Sequence, residues 1–354
     1  MSKIEVVDLF CGIGGLTKGL NQSGLKVKAG FDIEQSCAFA YTANNNAKFI
    51  CKDIRTVNAD DVKKNYSKNS IKVLAGCAPC QPFSQMRFKY KDLNADDEKY
   101  NLLLEFGRLV QETDPDIVSM ENVPKIRNTN VFKTFLNILN EKGYKVDYKV
   151  VYCPDYGIPQ NRRRFLLLAA KKEIKLLSPT HNKTNYVTVR DTIGSLPPVS
   201  AGEVLKTDIM HQTAKLTDIN LERIKMSKPG GTWKDWPEYL RCKCHQKASG
   251  ATYSSVYGRM EWDKIAPTMT TQFYCYGTGR YGHPTQNRAL TLREGALIQT
   301  FPLDYKFIDD NQKFSLKEVA RAIGNAVPVK LGKIIGDSIK NYVKENKDFL
   351  KCVN

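Results

Sequence analysis

The chain has 354 residues, of which 42% are hydrophobic and 26% charged, and its formal net charge is +17. This length suits two domains, or one large domain that carries a long insertion. The composition is ordinary for a globular protein, and the apolar runs fall far short of the ~20 residues that a membrane helix needs, which argues against a membrane-spanning chain.

The apolar stretch at residues 4–10 is short and is interrupted by Glu5 and Asp8, so we expect no secretory signal. The ten cysteines lack the dense, even spacing of a disulfide scaffold, and we expect reduced thiols in a cytoplasmic protein. The positive charge favours a polyanionic partner such as nucleic acid. Because the excess is spread along the chain, it does not locate a binding surface.

Short β-branched runs alternate with helical patterns along the first half of the chain. The predicted strands are Ile4–Val7, Leu25–Phe31, Val73–Ala75, Ile117–Met120, Lys145–Tyr152 and Arg164–Ala170. The predicted helices are Leu16–Ser23, Gln35–Asn44, Tyr100–Thr113 and Val131–Lys142. This alternation predicts an α/β protein with a mostly parallel sheet and helices on both faces.

After about Leu177, prolines and glycines break the periodicity, and the chain up to Asn287 indicates loops and short strands. The helical pattern returns from Thr291, and Val329–Lys344 is predicted to form a closing helix. We therefore predict one domain from residues 1–184 plus 288–354, with residues 185–287 as a separate small domain.

A glycine-rich turn, Gly12-Ile13-Gly14-Gly15, follows the first strand and opens a helix. Glycines allow a tight turn and close approach of a ligand to the free N–H groups of the helix. Asp32 ends the second strand, where a carboxylate could hold ribose hydroxyls, and Asp53 follows a third short strand, where it could bind an adenine amino group. The spacing is not the dinucleotide fingerprint, so a cofactor site and a merely tight turn both stay open.

Two cysteines, Cys77 and Cys80, follow the strand Val73–Ala75, and Pro79 and Pro82 flank the second of them. The prolines hold an extended backbone at the carboxyl end of a parallel strand, where α/β proteins bind ligands. A thiol presented there can act as a nucleophile. A redox pair or two buried structural cysteines are the alternatives, although a redox pair requires a helix that begins inside the motif.

Charged residues follow two further strand ends. Glu121, after Ile117–Met120, could act as a general acid or could simply cap a turn. The basic run Arg162-Arg163-Arg164 leads into the next strand and suits phosphate or base contacts, with surface solvation as the alternative. The stretch Cys242-Lys243-Cys244-His245 lacks an evident fourth ligand, so no metal is expected.

Taken in order, these motifs resemble those of the cytosine-carbon-5 DNA methyltransferases of bacterial or phage restriction-modification systems. The matching stretches are F-x-G-x-G at Phe10–Gly14, P-C-Q at Pro79–Gln81, E-N-V at Glu121–Val123, Q-x-R-x-R at Gln160–Arg164, R-x-L-T-x-R-E at Arg288–Glu294 and G-N-A-V-P-V at Gly324–Val329. The resemblance implies a Rossmann-like, S-adenosylmethionine-dependent methyltransferase domain with a smaller, mostly irregular or β, target recognition domain at residues 185–287.

The resemblance also implies an S-adenosylmethionine site, with S-adenosylhomocysteine as the product. The residues expected to contact the cofactor are Phe10, Gly12, Gly14, Asp32, Ile33, Asp53, Pro79, Leu102, Asn325 and Val327. Two positions depart from the usual pattern. Ile33 replaces an aromatic residue of some relatives, and Leu102 follows a segment that lacks the frequent Arg-Gly pair.

In catalysis, the resemblance implies that Cys80 attacks carbon 6 of a cytosine, that Glu121 binds ring nitrogen 3 and the exocyclic amine, and that Arg164 binds the carbonyl oxygen. Arg162 would help to orient Glu121. Thiolate addition pushes electron density toward carbon 5, and a hydrogen bond at nitrogen 3 absorbs the developing charge. A base stacked in a duplex cannot be reached, so it must flip out.

Residues after Cys80 are expected to form a loop over the flipped base, and residues 185–287 to recognise the DNA sequence. The predicted DNA contacts are Gln81, Ser84, Arg87, Gln160, Arg241, Arg259, Thr271 and Gln272. The expected partner is double-stranded DNA, bound by a monomer, with a cognate restriction endonuclease in the same system.

Two other functions stay open. An RNA cytosine-carbon-5 methyltransferase would use the same chemistry, but the long segment 185–287 followed by the Arg288–Glu294 motif favours duplex DNA. A catalytically idle DNA-binding regulator would share the fold, but the intact Cys80, Glu121 and Arg164 argue against it.

Overall fold

The computed structural model describes residues 3–79, 101–247, 250, 254–309 and 313–346. Within these ranges no helix is both long enough and apolar enough to cross a membrane. The chain divides into two compact units. Unit 1 comprises Met1–Tyr152, Arg163–Thr180 and Ala326–Asn354, and unit 2 comprises Cys153–Arg162 and His181–Asn325.

A seven-stranded sheet forms the centre of unit 1. In chain order the strands are β1 (Ile4–Leu9), β2 (Lys26–Asp32), β3 (Lys48–Cys51), β4 (Ile71–Gly76), β5 (Ile117–Asn122), β6 (Lys145–Tyr152) and β8 (Arg163–Ala170), while β7 (Gln160–Asn161) lies in unit 2. Their order is β3-β2-β1-β4-β5-β8-β6, and only the pairings of β8 are antiparallel. The prediction of a mostly parallel sheet is confirmed, with one reversed strand.

The reversal of β8 decides which residues meet at the edge of the sheet. Because β8 runs antiparallel to β5, its first residues lie beside the last residues of β5, and Phe165 pairs with Asn122. The carboxyl end of β4 lies on the other side of β5, with Gly76 opposite Met120. Three strand termini therefore bring polar side chains to one edge.

Unit 1 contains helices beside its sheet, and unit 2 also contains several helices, most of them short. They are α1 (Gly15–Gln22), α2 (Ala38–Asn44), α3 (Ala59–Lys63), α4 (Leu102–Thr113), α5 (Asn130–Glu141), α6 (Val189–Ile193), α7 (Asp218–Met226), α8 (Lys243–Gln246), α9 (Leu292–Ile298), α10 (Leu316–Asn325) and α11 (Val329–Glu345). The helices predicted in unit 1 are present, although the one predicted at Gln35–Asn44 starts with a 3₁₀ turn over Gln35–Cys37.

Helices α1 and α11 pack at backbone distance in unit 1. A Cβ atom at Gly19 would lie 2.1 Å from the carbonyl oxygen of Val329, and one at Gly332 would lie 2.8 Å from that of Leu16. Neither position accepts a larger residue without separating the helices. This contact holds the helix that follows the glycine-rich turn against the C-terminal helix.

Unit 2 contains short elements with much irregular chain. Its strands are β7, β9 (Val204–Leu205), β10 (Asp208–Gln212) and β11 (Ala266–Pro267). The loops and short strands predicted here are present, but helix α7 was not predicted. Its only buried residue is Ile224, so it lacks the apolar periodicity that reveals a helix.

A small apolar core in unit 2, which we name the tryptophan core, consists of Ile224, Trp233, Trp236, Leu240, Tyr276 and Ala289. Unit 2 is larger than the predicted recognition domain, because it also contains residues 153–162, 181–184 and 288–325. The prediction that residues 185–287 recognise DNA concerns function and stays a prediction.

Candidate active site

The turn after β1 has an unusual backbone. Phe10, Gly12 and Gly14 have φ values of 59°, 48° and 84°, in the left-handed region. The positive φ of residue 12 is the reason for a glycine at this position, because other residues rarely adopt it. Steric crowding is not the reason, since an added Cβ atom would meet no atom within 4 Å. Gly14 is the N-cap of α1 and no side chain caps the helix, so the N–H groups of its first turn lack a side-chain partner of the kind that a cap supplies.

Asp32 at the end of β2 lies beside this turn. Its carboxylate accepts hydrogen bonds from the backbone N–H of Gly12 at 2.7 Å and of Glu34 at 2.9 Å. Burial raises the pKa of Asp32 above its usual range, and these two N–H groups oppose the rise. Ile33, the next residue, is 61% exposed and presents an apolar surface. The predicted cofactor residues of this part of unit 1 thus lie together.

Asp8 was not predicted as a site residue, although it is the penultimate residue of β1, just before the turn. Its side chain is fully buried, and the Thr17 hydroxyl donates a hydrogen bond to Oδ2 at 2.6 Å. No described residue donates to Oδ1, which is also buried. Burial raises the pKa of Asp8 to about 7, and the nearby Asp32 adds to the rise.

Asp53 has a partner of its own. It caps a 3₁₀ turn over Ile54–Thr56, and its Oδ2 lies 2.6 Å from Nη2 of Arg55. Hydrogen bonds from Arg55 lower the pKa of Asp53. A contact between Asp53 and an adenine amino group would therefore have to compete with this neighbour.

The remaining residues that were predicted to contact the cofactor differ in how deeply they are buried. Phe10 and Leu102 are partly buried against the core of unit 1, and Pro79 is half-buried after β4. Val327 is buried in unit 1, whereas Asn325 is exposed at the end of α10 in unit 2. Their roles stay predictions.

Glu121 is the central side chain at the edge where β4, β5 and β8 terminate. It is 3% exposed, and its Oε1 lies 2.8 Å from Nε of Arg164. The thiol of Cys77 donates a hydrogen bond to its Oε2 at 2.6 Å. The contact with Cys77 was not predicted, because only the pairing of β4 with β5 makes the two strand ends adjacent.

A hydrogen bond joins the chain after β4 to the end of β5 at Ala78. Nδ2 of Asn122 donates a hydrogen bond to the carbonyl oxygen of Ala78 at 3.1 Å. The predicted nucleophile Cys80 and the predicted loop contacts lie outside the described residues; those contacts are Gln81, Ser84 and Arg87. The structure therefore describes the partners of Glu121 and the backbone that leads to Cys80.

Gln160 in unit 2 is not placed to contact DNA. Its side chain is fully buried, and Nε2 donates hydrogen bonds to the Ile298 carbonyl at 3.0 Å and to Oε1 of Gln299 at 2.7 Å. Its Oε1 accepts from the backbone N–H of Met269 at 3.2 Å. The side-chain amide of Gln160 therefore makes its hydrogen bonds within unit 2. This contradicts the expected contact of Gln160 with DNA.

Arg259 is likewise an internal residue. It is 4% exposed, and its guanidinium donates hydrogen bonds to the carbonyl oxygens of Ile224, Ser227, His283 and Gln286. A group with these bonds has few donors left for a phosphate or a base. Arg259 therefore joins segments of unit 2, contrary to the expected contact with DNA.

The other predicted residues of unit 2 differ in exposure. Arg162 is 3% exposed and donates from Nη1 to the Met269 carbonyl at 2.9 Å. Arg241 donates to the carbonyl oxygens of Lys234 and Trp236. Thr271 is half-buried and Gln272 is exposed, which leaves the side chain of Gln272 accessible to DNA.

The first and last residues of the motif at Arg288–Glu294 form a buried ion pair. Arg288 donates to both carboxylate oxygens of Glu294, at 2.8 and 2.7 Å, and each residue is 1% exposed. Burial raises the pKa of Glu294, but the hydrogen bonds from Arg288 outweigh it and the pKa is lowered. Thr291 caps α9 between them, so this motif shapes unit 2.

A family model described as C-5 cytosine-specific DNA methylase matches residues 4–341. The Type II methylase M.HgiDII of Herpetosiphon aurantiacus is 53% identical over 343 residues, which cover 96% of each chain. The Type II methyltransferase M1.HphI of Haemophilus parahaemolyticus is 32% identical and covers 95% of this chain and 86% of its own.

Solved structures share the fold. A crystal structure described as a DNA modification methyltransferase from a prophage in E. coli matches 97% of this chain and 100% of its own, with a TM-score of 0.72 and 23% identity. A Spodoptera frugiperda DNMT2 variant matches 96% of this chain and 100% of its own, with a TM-score of 0.62 and 20% identity.

Proposed function

Because the chain belongs to the family of C-5 cytosine-specific DNA methylases, we propose that it methylates a cytosine flipped out of duplex DNA, through a covalent adduct with Cys80. The family match and the similarity to Type II methylases identify it as a DNA (cytosine-5)-methyltransferase of the bacterial restriction-modification type. We infer the binding of the base, the formation of the adduct and the binding of the cofactor from the residues of this chain.

The observation that carries the proposal is the environment of Glu121. One oxygen of this buried carboxyl group faces the guanidinium of Arg164 and the other faces the thiol of Cys77. Cytosine offers an acceptor at ring nitrogen 3 beside an amine donor, and a carboxyl group that shares a proton with nitrogen 3 while it accepts from the amine matches both. A carboxyl group held rigidly between two partners can bind this edge of the base without reorganising.

Cys80 directly follows Pro79 in the sequence, and β4, the strand that leads to it, ends beside the carboxyl end of β5, where Glu121 lies. Its thiolate would form a bond to carbon 6, and the electron pair would move to carbon 5, with nitrogen 3 stabilised by Glu121. After carbon 5 has gained the methyl group, loss of its proton returns the electron pair and expels Cys80. Cys80 would leave as the thiolate, the proton from carbon 5 would pass to solvent water, and the ring would become aromatic again as 5-methylcytosine.

The residues at the glycine-rich turn suit S-adenosylmethionine, which supplies the methyl group. The backbone at Gly12 and Gly14 and the N-terminus of α1 would hold its charged amino-acid end. The carboxylate of Asp32 would accept from the ribose hydroxyls, and the exposed Ile33 would lie against the adenine. The fit rests on the open turn and on the carboxylate already ordered beside it.

The DNA partner would be bound by a monomer in the cytoplasm, beside a cognate endonuclease. The net charge of +17 favours binding to phosphates. Gln272, with its exposed amide, is the described residue best placed to bind a base edge, and Thr271 and Arg241 are secondary candidates. We therefore propose that residues 185–287 recognise the DNA sequence.

The adduct can be tested with duplex DNA in which 5-fluorocytosine replaces every cytosine. Fluorine at carbon 5 cannot leave as a proton does, so Cys80 would stay attached after methyl transfer. With S-adenosylmethionine present, the wild-type protein should yield a band that survives denaturing electrophoresis. The Cys80→Ser variant should yield none. Cys51→Ser should behave as wild type, because the serine hydroxyl can keep the hydrogen bond that this exposed thiol donates to the Ile33 carbonyl. A stable adduct of Cys80→Ser would refute the proposed nucleophile.

The nucleic-acid substrate needs a separate test. Tritiated methyl transfer to duplex DNA and to total RNA should label the DNA, and exclusive labelling of RNA would contradict the proposal. Mapping methylated cytosines in the DNA of expressing cells would then identify the recognised site.

A further inference from the structure

Three potential metal ligands lie together in unit 2. Cys242, Cys244 and His245 each offer one ligand atom, and these atoms lie within 4.8 Å of one another. Cys242 caps the short helix α8, and the backbone N–H of His245 donates to the Cys242 carbonyl at 2.9 Å. The unusual Cys-x-Cys spacing predicted no metal, but this single helical turn brings the three side chains to one place.

His245 provides the second observation. It is 7% exposed, and its Nδ1 is buried without a hydrogen-bond partner among the described residues. Buried polar atoms in proteins nearly always have a partner, so this nitrogen requires an explanation. The ring is held by stacking on Trp233, at 4.5 Å between centroids, and by the edge of Tyr257, at 5.8 Å. A fixed imidazole beside two thiols has the features of a metal ligand.

We propose that Cys242, Cys244 and His245 bind one Zn²⁺ ion. Zinc prefers thiolate sulfur and imidazole nitrogen, and sites with three protein ligands complete a tetrahedron with water. Water would be the fourth ligand here, because the described part of the chain groups only these three side chains and residues 247–253 contain no cysteine or histidine.

The charge of the three side chains fits this ion. Two thiolates would carry two negative charges, which a divalent cation neutralises. The resulting neutral centre would not repel Arg223, whose guanidinium lies 5.4 Å from the Tyr257 ring.

The position of the site suggests a structural role. Trp233 belongs to the tryptophan core, and Tyr257 packs against it, so both rings that hold His245 connect the site to this core. Gly250 lies against the same turn, because a Cβ there would come within 1.9 Å of the Cys244 carbonyl oxygen. A core of this size gains stability from a bound metal, whose binding energy adds to folding.

The test uses the full-length protein, prepared with reductant, dialysed against chelator and then reloaded with Zn²⁺. Metal content after gel filtration should approach one equivalent per chain for wild type. Reloading with Co²⁺ should give the visible bands of a tetrahedral site and thiolate charge-transfer bands. Cys244→Ser should lose most of the bound metal, whereas Cys51→Ser, another exposed thiol, should keep it.

Cys244 is exposed, so its replacement should leave the protein folded, as circular dichroism can verify. Zn²⁺ should raise the Tm of wild type and of Cys51→Ser but not that of Cys244→Ser. Equal metal content in Cys244→Ser and wild type would overturn the proposal. So would a wild-type protein that binds no metal, or a disulfide between Cys242 and Cys244 that persists under the reducing conditions.

Discussion

Nε of Arg164 lies 2.8 Å from Oε1 of Glu121, so that a cation near the start of β8 pairs with a carboxyl group near the end of β5. The two residues are 43 positions apart and meet because β8 runs opposite to β5. Both are largely buried, with 13% and 3% of their side chains exposed. Any change to one partner therefore alters the environment of the other.

Glu121→Gln removes the carboxyl group that would share a proton with ring nitrogen 3 but keeps the shape of the side chain. We expect the rate of methyl transfer to fall by about 10²- to 10⁴-fold, the usual contribution of a general acid. Single-turnover transfer of labelled methyl to DNA measures this effect. Glu105→Gln, at a partly exposed ion pair with Arg108, serves as the control and should retain the wild-type rate. A Glu121→Gln variant with full activity would refute the role of the carboxyl group.

Arg164→Ala should leave the Glu121 carboxylate buried without its cation. Loss of one partner of a buried pair lowers the free energy of unfolding by about 3–5 kcal/mol, and activity should fall with it. Arg163→Ala alters the preceding residue, which is exposed and lies over the Tyr152 ring, and should cost much less. Urea denaturation compares the two variants. Equal stability of both would mean that the contact with Glu121 contributes little.

Cys77→Ala removes the hydrogen bond to Oε2 of Glu121. A hydrogen bond to a charged group contributes about 1.5–3 kcal/mol, so we expect a 10- to 100-fold lower rate. The pH dependence of the rate should also change, because Cys77 acts through Glu121. Cys77→Ser should restore much of the activity, and both variants should still form the 5-fluorocytosine adduct. Loss of the adduct in Cys77→Ser would instead make Cys77 a candidate nucleophile.

Asp8 should make stability depend on pH. Its folded pKa of about 7 exceeds the ~3.9 of an unfolded aspartate, so the folded state binds the proton more tightly. The stabilisation is complete below about pH 4 and is lost as the pH rises through 7. Relative to Asp8→Asn, wild type should lose on the order of 4 kcal/mol between these limits. Urea denaturation at pH 5 and pH 8 should show roughly 2–3 kcal/mol of this loss, and a parallel response of both proteins would contradict the prediction.

Arg259 and Gln272 should respond in opposite ways. Arg259→Met removes several buried hydrogen bonds and should lower Tm. Gln272→Ala should leave Tm unchanged and reduce discrimination between the cognate site and altered sites, by about 1–3 kcal/mol if it contacts a base. Thermal unfolding and competition binding at fixed salt check the two effects. Unchanged discrimination would remove Gln272 from the proposed contacts.

Local patterns predicted much of unit 1. The strands at Ile4–Val7, Val73–Ala75 and Ile117–Met120 were found because buried parallel strands are short apolar runs with polar residues at their ends. The glycine-rich turn was found because its backbone needs positive φ at Gly12 and Gly14. In unit 2 the same reasoning missed α7, since a helix that buries only Ile224 shows no periodicity.

The amino-acid sequence by itself determined the family, the α/β class and the order of the motifs, because these depend on residue types at fixed spacing. Only the tertiary structure decided which polar side chains are internal. Gln160 and Arg259 look like DNA contacts until long-range carbonyl partners bury them. Strand order placed Cys77 and Arg164 on Glu121, and one turn of α8 gathered Cys242, Cys244 and His245. Burial and pairing arise between distant segments, which local spacing does not encode.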